Sequence, residues 1–131
     1  MALKLTLKPG ERVAVNGAVV VNGGGRATLV VENRASILRE RDILKPECAT
    51  TPAKRIYLPI MMMVIDPARK TRHIADYQSR LTEFAGALSD AEALKACLRL
   101  AAAVANGEFY RALTICRTLI AFEETRLSHV A

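Results

Sequence analysis

The sequence of 131 residues contains no tryptophan, and it has only three tyrosines and three phenylalanines. All of these rings lie from Tyr57 onwards, so the amino-terminal part of the chain holds no aromatic side chain. Domains that read single-stranded RNA on a sheet stack the bases on exposed aromatic rings. The absence of such rings therefore argues against an RRM-like or OB-like reader.

Cysteine and histidine are also scarce. Cys48, Cys97 and Cys116 have no close spacing, and His73 and His129 stand alone in the sequence. These numbers support neither a zinc site nor a disulfide framework, and we expect no bound metal or cofactor. Cys97 and Cys116 fall on apolar helical faces, where we expect them to behave as small hydrophobic residues.

No hydrophobic run is long enough for a membrane-spanning helix. The longest, residues 56–65, has roughly half of the ~20 residues that a bilayer requires, and Pro59 interrupts it. The amino terminus has no charged segment followed by a long apolar one, so no signal peptide is predicted. We therefore expect a soluble, cytoplasmic protein with reduced thiols.

Motifs of enzymes are nearly absent. The glycine-rich segment 22–25 precedes neither a Lys-Ser/Thr pair nor a helix, so it is interpreted as a turn and not as a phosphate-binding loop. No serine or cysteine has the flanking residues of an activated nucleophile, and Glu123-Glu124 is interpreted as a solvated helix end. We predict that the protein is not an enzyme, although a site assembled from distant residues stays open.

Positive charge is plentiful and unevenly distributed along the chain, whose net charge is +6. Residues 1–55 contain 10 Lys and Arg against 5 Asp and Glu, whereas residues 56–131 contain 9 against 8. An excess confined to one end suits a polyanionic partner. A solubilising surface explains the charge alone equally well.

The first 48 residues alternate between apolar and polar side chains, as β-strands do. They predict a basic module built on a small, barrel-like antiparallel β-sheet, with strands at 2–8, 12–16, 18–22 and 26–32. Asn16-Gly17 predicts a two-residue hairpin between the second and third strands. Segment 36–44 is predicted to be strand in its first half and one helical turn in its second.

Residues 49–131 are predicted to be a bundle of about four helices, which makes the fold class α+β. The first helix has Thr51 as its N-cap and Pro52 at its first position, and it is apolar all round. Pro59 should kink or shorten it. Three further helices are predicted at about 68–88, from about 90 to Asn106-Gly107, and from 109 onwards. One continuous domain is the alternative to two modules.

The buried faces of the later helices follow from apolar spacings of three and four. They are predicted to comprise Ile74, Tyr77, Leu81, Phe84 and Leu88; then Leu94, Cys97 or Leu98, Ala101 and Ala105; then Phe109, Leu113, Cys116 and Ile120. Ser89 and Glu92 are interpreted as a capping box. The methionines at 61–63 suit either a core or an adaptable partner surface, and the all-round apolar pattern favours the core.

Six basic residues of the sheet module are the candidate RNA-binding residues: Lys4, Lys8, Arg12, Arg26, Arg39 and Arg41. Residues of the same parity share a face of a strand, so Lys4 and Lys8 should project together. Leu3, Leu5 and Leu7 would then enter the core. Such a surface can bind phosphates and stack guanidinium groups on unpaired bases.

Arg39 and Arg41 also share parity, on the following segment. The alternative interpretation is a solvated face on which they pair with Glu40 and Asp42. The residues by themselves leave a nucleic-acid-binding protein and a protein-interaction module equally open.

Two motifs occur in a distinctive order. Leu5-x-Leu7-x-Pro9-Gly10-Glu11-Arg12 leads into Val15-Asn16-Gly17-Ala18, and Ala49-Thr50-Thr51-Pro52 precedes an apolar helix that ends at Asp66-Pro67. Over essentially its whole length the chain resembles the FlbT family of flagellin regulators. The resemblance implies binding to the 5′ untranslated leader of flagellin messenger RNA, with altered translation and stability, in the direction of either repression or activation. It also implies a FlaF-like helical partner and contact with flagellin.

Residues 3–11 additionally resemble the opening strand of the CsrA-type carbon storage regulators, which bind messenger leaders. In that likeness Lys8 matches one RNA-contacting position, and Arg39 or Arg41 matches a second. A strand-exchanged homodimer is the oligomer that it suggests, although Gly23-Gly24-Gly25 departs from that family's turn. The competing hypothesis is a flagellin-binding adaptor or chaperone that acts with FlaF and affects RNA only indirectly.

Overall fold

The computed structural model describes residues 2–130, with side chains for residues 2–126. The fold is α+β, as predicted, with five short strands followed by four helices. The strands are β1 (Leu3–Leu7), β2 (Arg12–Val15), β3 (Ala18–Val21), β4 (Ala27–Val31) and β5 (Ile37–Arg39). The helices are α1 (Pro52–Ile65), α2 (Lys70–Gly86), α3 (Ala91–Ala105) and α4 (Phe109–Val130).

The chain forms two compact units. The β-unit consists of Met1–Ile43 with Val64–Pro67, and the helical unit consists of Leu44–Met63 with Ala68–Ala131. The division into modules at residue 48 stays a prediction.

The strands form two small antiparallel sheets. One contains β1 and β4, with Leu5 opposite Leu29, and the other has the order β3-β2-β5. Successive strands therefore change sheet at the turn after β1, at the glycine segment after β3 and again between β4 and β5. That segment connects the third and fourth predicted strands, but they do not pair with each other.

The hairpin between β2 and β3 has the predicted two-residue turn. Asn16 and Gly17 both adopt positive φ, at 48° and 87°, and Val15 lies opposite Ala18. Positive φ at both central residues is the type I′ geometry, whose twist matches that of the flanking strands. The Asn16 side-chain oxygen also accepts a hydrogen bond from the Ser36 N–H at 2.8 Å, which attaches the turn to the start of β5.

Asn22 connects the turn after β1 to the glycine segment. Its side-chain amide donates to the carbonyls of Lys8 and Gly25, at 3.1 and 2.9 Å. Its backbone carbonyl accepts from the Gly10 N–H at 2.7 Å, and its backbone N–H donates to the Glu11 carbonyl at 2.9 Å. Asn22 thus connects two of the three polypeptide segments at which the strands change sheet.

The core of the β-unit is built on Leu5, Leu7 and Val13. Leu3, which was expected to enter the core beside Leu5 and Leu7, is exposed. It lies at the first position of β1, opposite Val31 at the last position of β4, so the sheet ends there and covers it poorly. Lys4 is exposed on the opposite face, as the alternation predicts.

The first helix begins at Pro52, as predicted, and it contains Pro59 without ending there. Pro59 therefore does not shorten the helix, and the alternative expectation, that it kinks the helix, stays a prediction. A proline in a helix interior costs about 3 kcal/mol, and burial on all sides offsets that cost. Met61 and Met63 are buried, which confirms the core role for these two methionines, whereas Met62 is partly exposed.

Two groups outside the helix satisfy backbone N–H donors at the start of α1. The Thr51 hydroxyl accepts from the Lys54 N–H at 3.4 Å, as its predicted N-cap role requires. The Glu123 carboxylate accepts from the Ala53 N–H at 3.0 Å. Glu123 is consequently not a solvated helix end, because the chain fold brings α4 to the beginning of α1.

The buried face of α3 differs from the prediction. It is formed by Ala93, Ala96, Cys97, Leu100 and Ala103, whereas Leu98 is exposed. This sequence offers several overlapping apolar stripes, and close packing against α4 selects the one rich in alanine.

The ends of α3 have specific caps. Asp90, and not the predicted box of Ser89 and Glu92, is the N-cap, and its side chain accepts from the Ala93 N–H at 2.9 Å. The predicted stop is confirmed. Gly107 has φ 74°, and the Glu108 N–H donates to the Ala103 carbonyl at 2.8 Å in a Schellman motif.

The remaining predicted faces are confirmed in part. Tyr77 and Phe84 are buried on α2, and Leu113 and Cys116 are buried on α4. Leu88 lies beyond the last residue of α2. No described helix combines the length and the apolar composition that crossing a membrane requires.

Substitution of Gly17 tests the hairpin. A Cβ at this position would lie 2.6 Å from the carbonyl oxygen of Ile65, and its φ is unfavourable for any other residue. We expect Gly17→Ala to lower the free energy of unfolding by at least about 1 kcal/mol in urea titrations. Gly23→Ala is the control, because a Cβ there meets nothing within 4 Å. Equal stability of the two variants would contradict this geometry.

The cysteines test the packing of the helical unit. Cys97 and Cys116 are buried and Cys48 is exposed, and burial raises the pKa of the Cys116 thiol to about 12. Because the thiolate is the reactive form, we expect a thiol reagent to modify Cys48 alone in the native protein. Cys97 and Cys116 should react only in denaturant, as measured by mass spectrometry. Rapid native labelling of Cys116 would show that the packing is wrong.

Candidate nucleic-acid interface

A depression of about 590 Å³ lies on the β-unit and is bordered by more cations than acids. Its charged residues are Lys8, Arg26, Arg39 and Arg41 against Glu11 and Glu40; Thr6, Pro9 and Gly10 complete the lining. Four of the six predicted RNA-binding residues therefore come together at one place.

Strand pairing brings the first two cations together. Leu7 lies opposite Ala27, so continuing this register by one residue sets Lys8 across from Arg26. Like charges in that arrangement repel each other unless an anion lies between them. The pairing of β1 with β4 thus creates a position that favours a phosphate.

Arg39 and Arg41 reach the same depression by different means. Arg39 is the last residue of β5, whereas Arg41 belongs to the 3-10 turn Glu40–Asp42 that follows. The expectation that they share a strand face is therefore wrong, because the strand ends between them. The turn, which was predicted from the sequence, directs Arg41 to the depression.

Lys4 and Arg12 do not line the depression. Both are exposed, Lys4 within β1 and Arg12 at the first position of β2. Lys4 shares its strand face with Thr6, which does line it, so Lys4 extends the positive surface along β1.

Arg39 has a structural role in addition to its charge. Its Nη2 donates to the Thr6 carbonyl at 2.8 Å and lies 3.6 Å from the Glu11 carboxylate. The guanidinium therefore connects β5 of one sheet to β1 of the other. The predicted pairing of Arg39 with Glu40 is wrong, because the turn after β1 brings Glu11 closer.

Glu11 is the acid that organises this end of the β-unit. Its carboxylate accepts a hydrogen bond from the Lys8 N–H at 2.9 Å. This bond is the main reason why the pKa of Glu11 is lowered; the charge of Arg39 lowers it further, and burial acts in the opposite direction. From the sequence, Glu11 was assigned only to a turn. The Pro9-Gly10 turn places its carboxylate three residues after Lys8, and this spacing could have indicated the hydrogen bond to the Lys8 N–H.

Three basic side chains of the depression are accessible to a ligand: Lys8, Arg26 and Arg41. All three side chains are exposed, and none forms an ion pair with another described residue. The predicted pairing of Arg41 with Asp42 is therefore wrong. Within the described part of the chain, no group of three or more His, Cys, Asp and Glu side chains could hold a metal ion. The depression has the chemistry of a site for phosphate groups.

Comparison with known proteins assigns the family. The profile described as "Flagellar protein FlbT" matches residues 3–127. The chain belongs to the FlbT family. This confirms the resemblance that the two sequence motifs carry, and the match includes every residue that lines the depression.

Curated FlbT relatives are similar to the chain over most or all of their length. A "Probable flagellum biosynthesis repressor protein FlbT" of Caulobacter sp. (strain K31) is 48% identical over 131 residues, which is 100% of both chains. The "Flagellum biosynthesis repressor protein FlbT" of Caulobacter vibrioides (strain ATCC 19089 / CIP 103742 / CB 15) is 45% identical over 131 residues, 100% of this chain and 93% of the relative. No solved structure matches the chain.

Removing the Glu11 charge tests the network of Glu11 and Arg39. A carboxylate whose pKa is lowered by folding contributes stability above its unfolded pKa, and that stability is lost as the pH falls through the folded pKa. We expect Glu11→Gln to be less stable than the wild type at pH 7 and the difference to vanish well below pH ~4. Urea midpoints across this range measure it.

Glu40→Gln is the control, because Glu40 borders the same depression without an ion pair to another described residue. Its effect on the urea midpoint should be small at every pH. A pH-independent loss in Glu11→Gln would show that the carboxylate charge is not what stabilises the turn.

Proposed function

We propose that this chain represses flagellum biosynthesis by binding the 5′ untranslated leader of flagellin messenger RNA in the basic depression of its β-unit. The observation that carries the proposal is the convergence of Lys8, Arg26 and Arg41, none of which forms a salt bridge with a described residue, although the Glu11 carboxylate attracts Lys8 at longer range. The names of the relatives support repression as the direction. Binding at the leader would lower flagellin translation and alter the lifetime of the message.

The chemistry of the lining suits single-stranded RNA. The Lys8 ammonium is a point charge for phosphate, whereas the guanidinium groups of Arg26 and Arg41 can contact phosphate bidentately or stack on unpaired bases. Guanidinium stacking takes the place of the aromatic rings that this part of the sequence lacks. Lys4 and Arg12 would add phosphate contacts outside the depression, and Arg39 would contribute mainly by positioning its neighbours.

A second candidate function rests on the helical unit. A groove of about 430 Å³ lies there, and Ile74, Tyr77, Leu81 and Phe109 form most of its apolar wall. Apolar grooves of this kind accept an amphipathic helix. The groove of the helical unit therefore supports a second candidate function, an adaptor or chaperone for flagellin that acts with a FlaF-like helical partner. Both candidates place the protein in the cytoplasm, where messenger RNA and unexported flagellin are found.

Gel shifts of flagellin leader RNA with the purified full chain, at several salt concentrations, test the RNA site. We expect Arg26→Ala with Arg41→Ala to weaken binding by about tenfold or more and to reduce the salt slope by about 1.4, or ~0.7 per phosphate contact. The matched control is Arg34→Ala with Lys95→Ala, which removes the same charge from exposed positions outside the depression.

Three outcomes would count against this site. An equal loss in the control would assign binding to overall charge. An unchanged dissociation constant in the double variant would remove Arg26 and Arg41 from the interface. If the protein alone fails to shift the leader but co-purifies with flagellin or the FlaF-like partner, the adaptor function replaces the proposal.

A further inference from the structure

The outer edge of β4 is apolar and uncovered. Leu29 and Val30 are 39% and 52% exposed, and β1 is the only strand that pairs with β4 among the described residues. Residues 27–31 make no hydrogen bond beyond that ladder within the described chain. The strand contains neither lysine nor proline, the residues with which proteins commonly protect such edges. A two-stranded sheet is also marginally stable by itself.

We propose that β4 pairs antiparallel with β4 of a second copy, about a two-fold axis through Leu29. In this register each Leu29 lies opposite its own equivalent. Ala27 then lies opposite Val31 of the second copy, and Thr28 lies opposite Val30. All five residues of the strand are paired, and the edge is closed by a self-complementary interface.

The charges that flank β4 favour a second copy as the occupant. Arg26 precedes the strand and Glu32 follows it, and both are exposed. The register through Leu29 sets Arg26 of each copy opposite Glu32 of the other, so two opposite-charge pairs form at the ends of the interface. Opposite charges directly across an antiparallel pair stabilise it, whereas like charges destabilise it.

The apolar faces also continue across the proposed axis. Leu5 lies opposite Leu29, so both side chains are on the same face of the sheet. The order β1-β4-β4-β1 would extend this row through both copies and shield Leu29 from water. Two strands become four, which exceeds the minimum for a stable sheet with one apolar face.

The strands β1, β3 and β5 also lie at sheet edges, and among them β3 exposes the most apolar side chains, Val19, Val20 and Val21. Strand β3 carries no charged residue, so nothing in its sequence determines a partner or a register. The choice between β3 and β4 therefore depends on the Arg26 and Glu32 pair, and a β3 variant tests it.

Sedimentation equilibrium of the purified full chain without RNA tests the dimer, independently of the proposed function. We expect a concentration-dependent dimer for the wild type. Glu32→Arg should raise the dimer dissociation constant by about tenfold or more, because two opposite-charge pairs become two like-charge pairs. Combining it with Arg26→Glu should restore dimerisation. Glu47→Arg, the same reversal at an exposed position in the helical unit, should leave it unchanged.

Circular dichroism spectra that match the wild type will show that each variant is folded. A wild type that stays monomeric up to its solubility limit would overturn the proposal. So would an unchanged dissociation constant for Glu32→Arg, or a failure of Arg26→Glu to rescue it. Loss of the dimer in Val20→Lys with no effect of Glu32→Arg would move the interface to β3 and equally overturn it.

Discussion

The guanidinium of Arg39 connects two sheets that share no backbone ladder. Arg39 is the last residue of β5, and its guanidinium donates to the Thr6 carbonyl in β1. The Glu11 carboxylate, in the turn after β1, forms a salt bridge with the same guanidinium. Asn22 completes the connection by donating hydrogen bonds to two of the three segments at which the strands change sheet. The basic depression lies where these contacts meet, so its shape depends on polar bonds more than on a large core.

This arrangement divides the cations into two groups by role. Arg39 forms a salt bridge with Glu11, whereas Lys8, Arg26 and Arg41 form none with another described residue. A phosphate bound near Lys8 would also relieve its repulsion from Arg26 across the strand pair. Positioning and the proposed RNA binding would therefore depend on different basic residues, which net charge by itself does not reveal.

The β-unit and the helical unit differ in how completely they bury their apolar residues. In the helical unit α1 is covered on nearly all sides, and alanines on α3 allow close packing against α4. In the β-unit valines and leucines of β3 and β4 stay exposed on free edges. A second copy at β4 would remove part of this deficit. Each Arg26 would then lie opposite Glu32 of the other copy, so in the dimer Lys8 and Arg41 would be the cations of the depression without a salt bridge to a described residue.

The sequence alone determined the features whose chemistry lies within a few residues. The Asn16-Gly17 hairpin, the start of α1 at Pro52, the stop at Asn106-Gly107 and the FlbT family could all be predicted, because positive φ, capping and motif spacing are local. The tertiary structure decided which strands pair, that Leu3 and Leu98 are exposed, and that Glu11 and not Glu40 holds Arg39. Those outcomes depend on competition between contacts of residues far apart in the chain. The alternation of a strand or the apolar spacing of a helix is compatible with several such arrangements, so the sequence pattern does not select one.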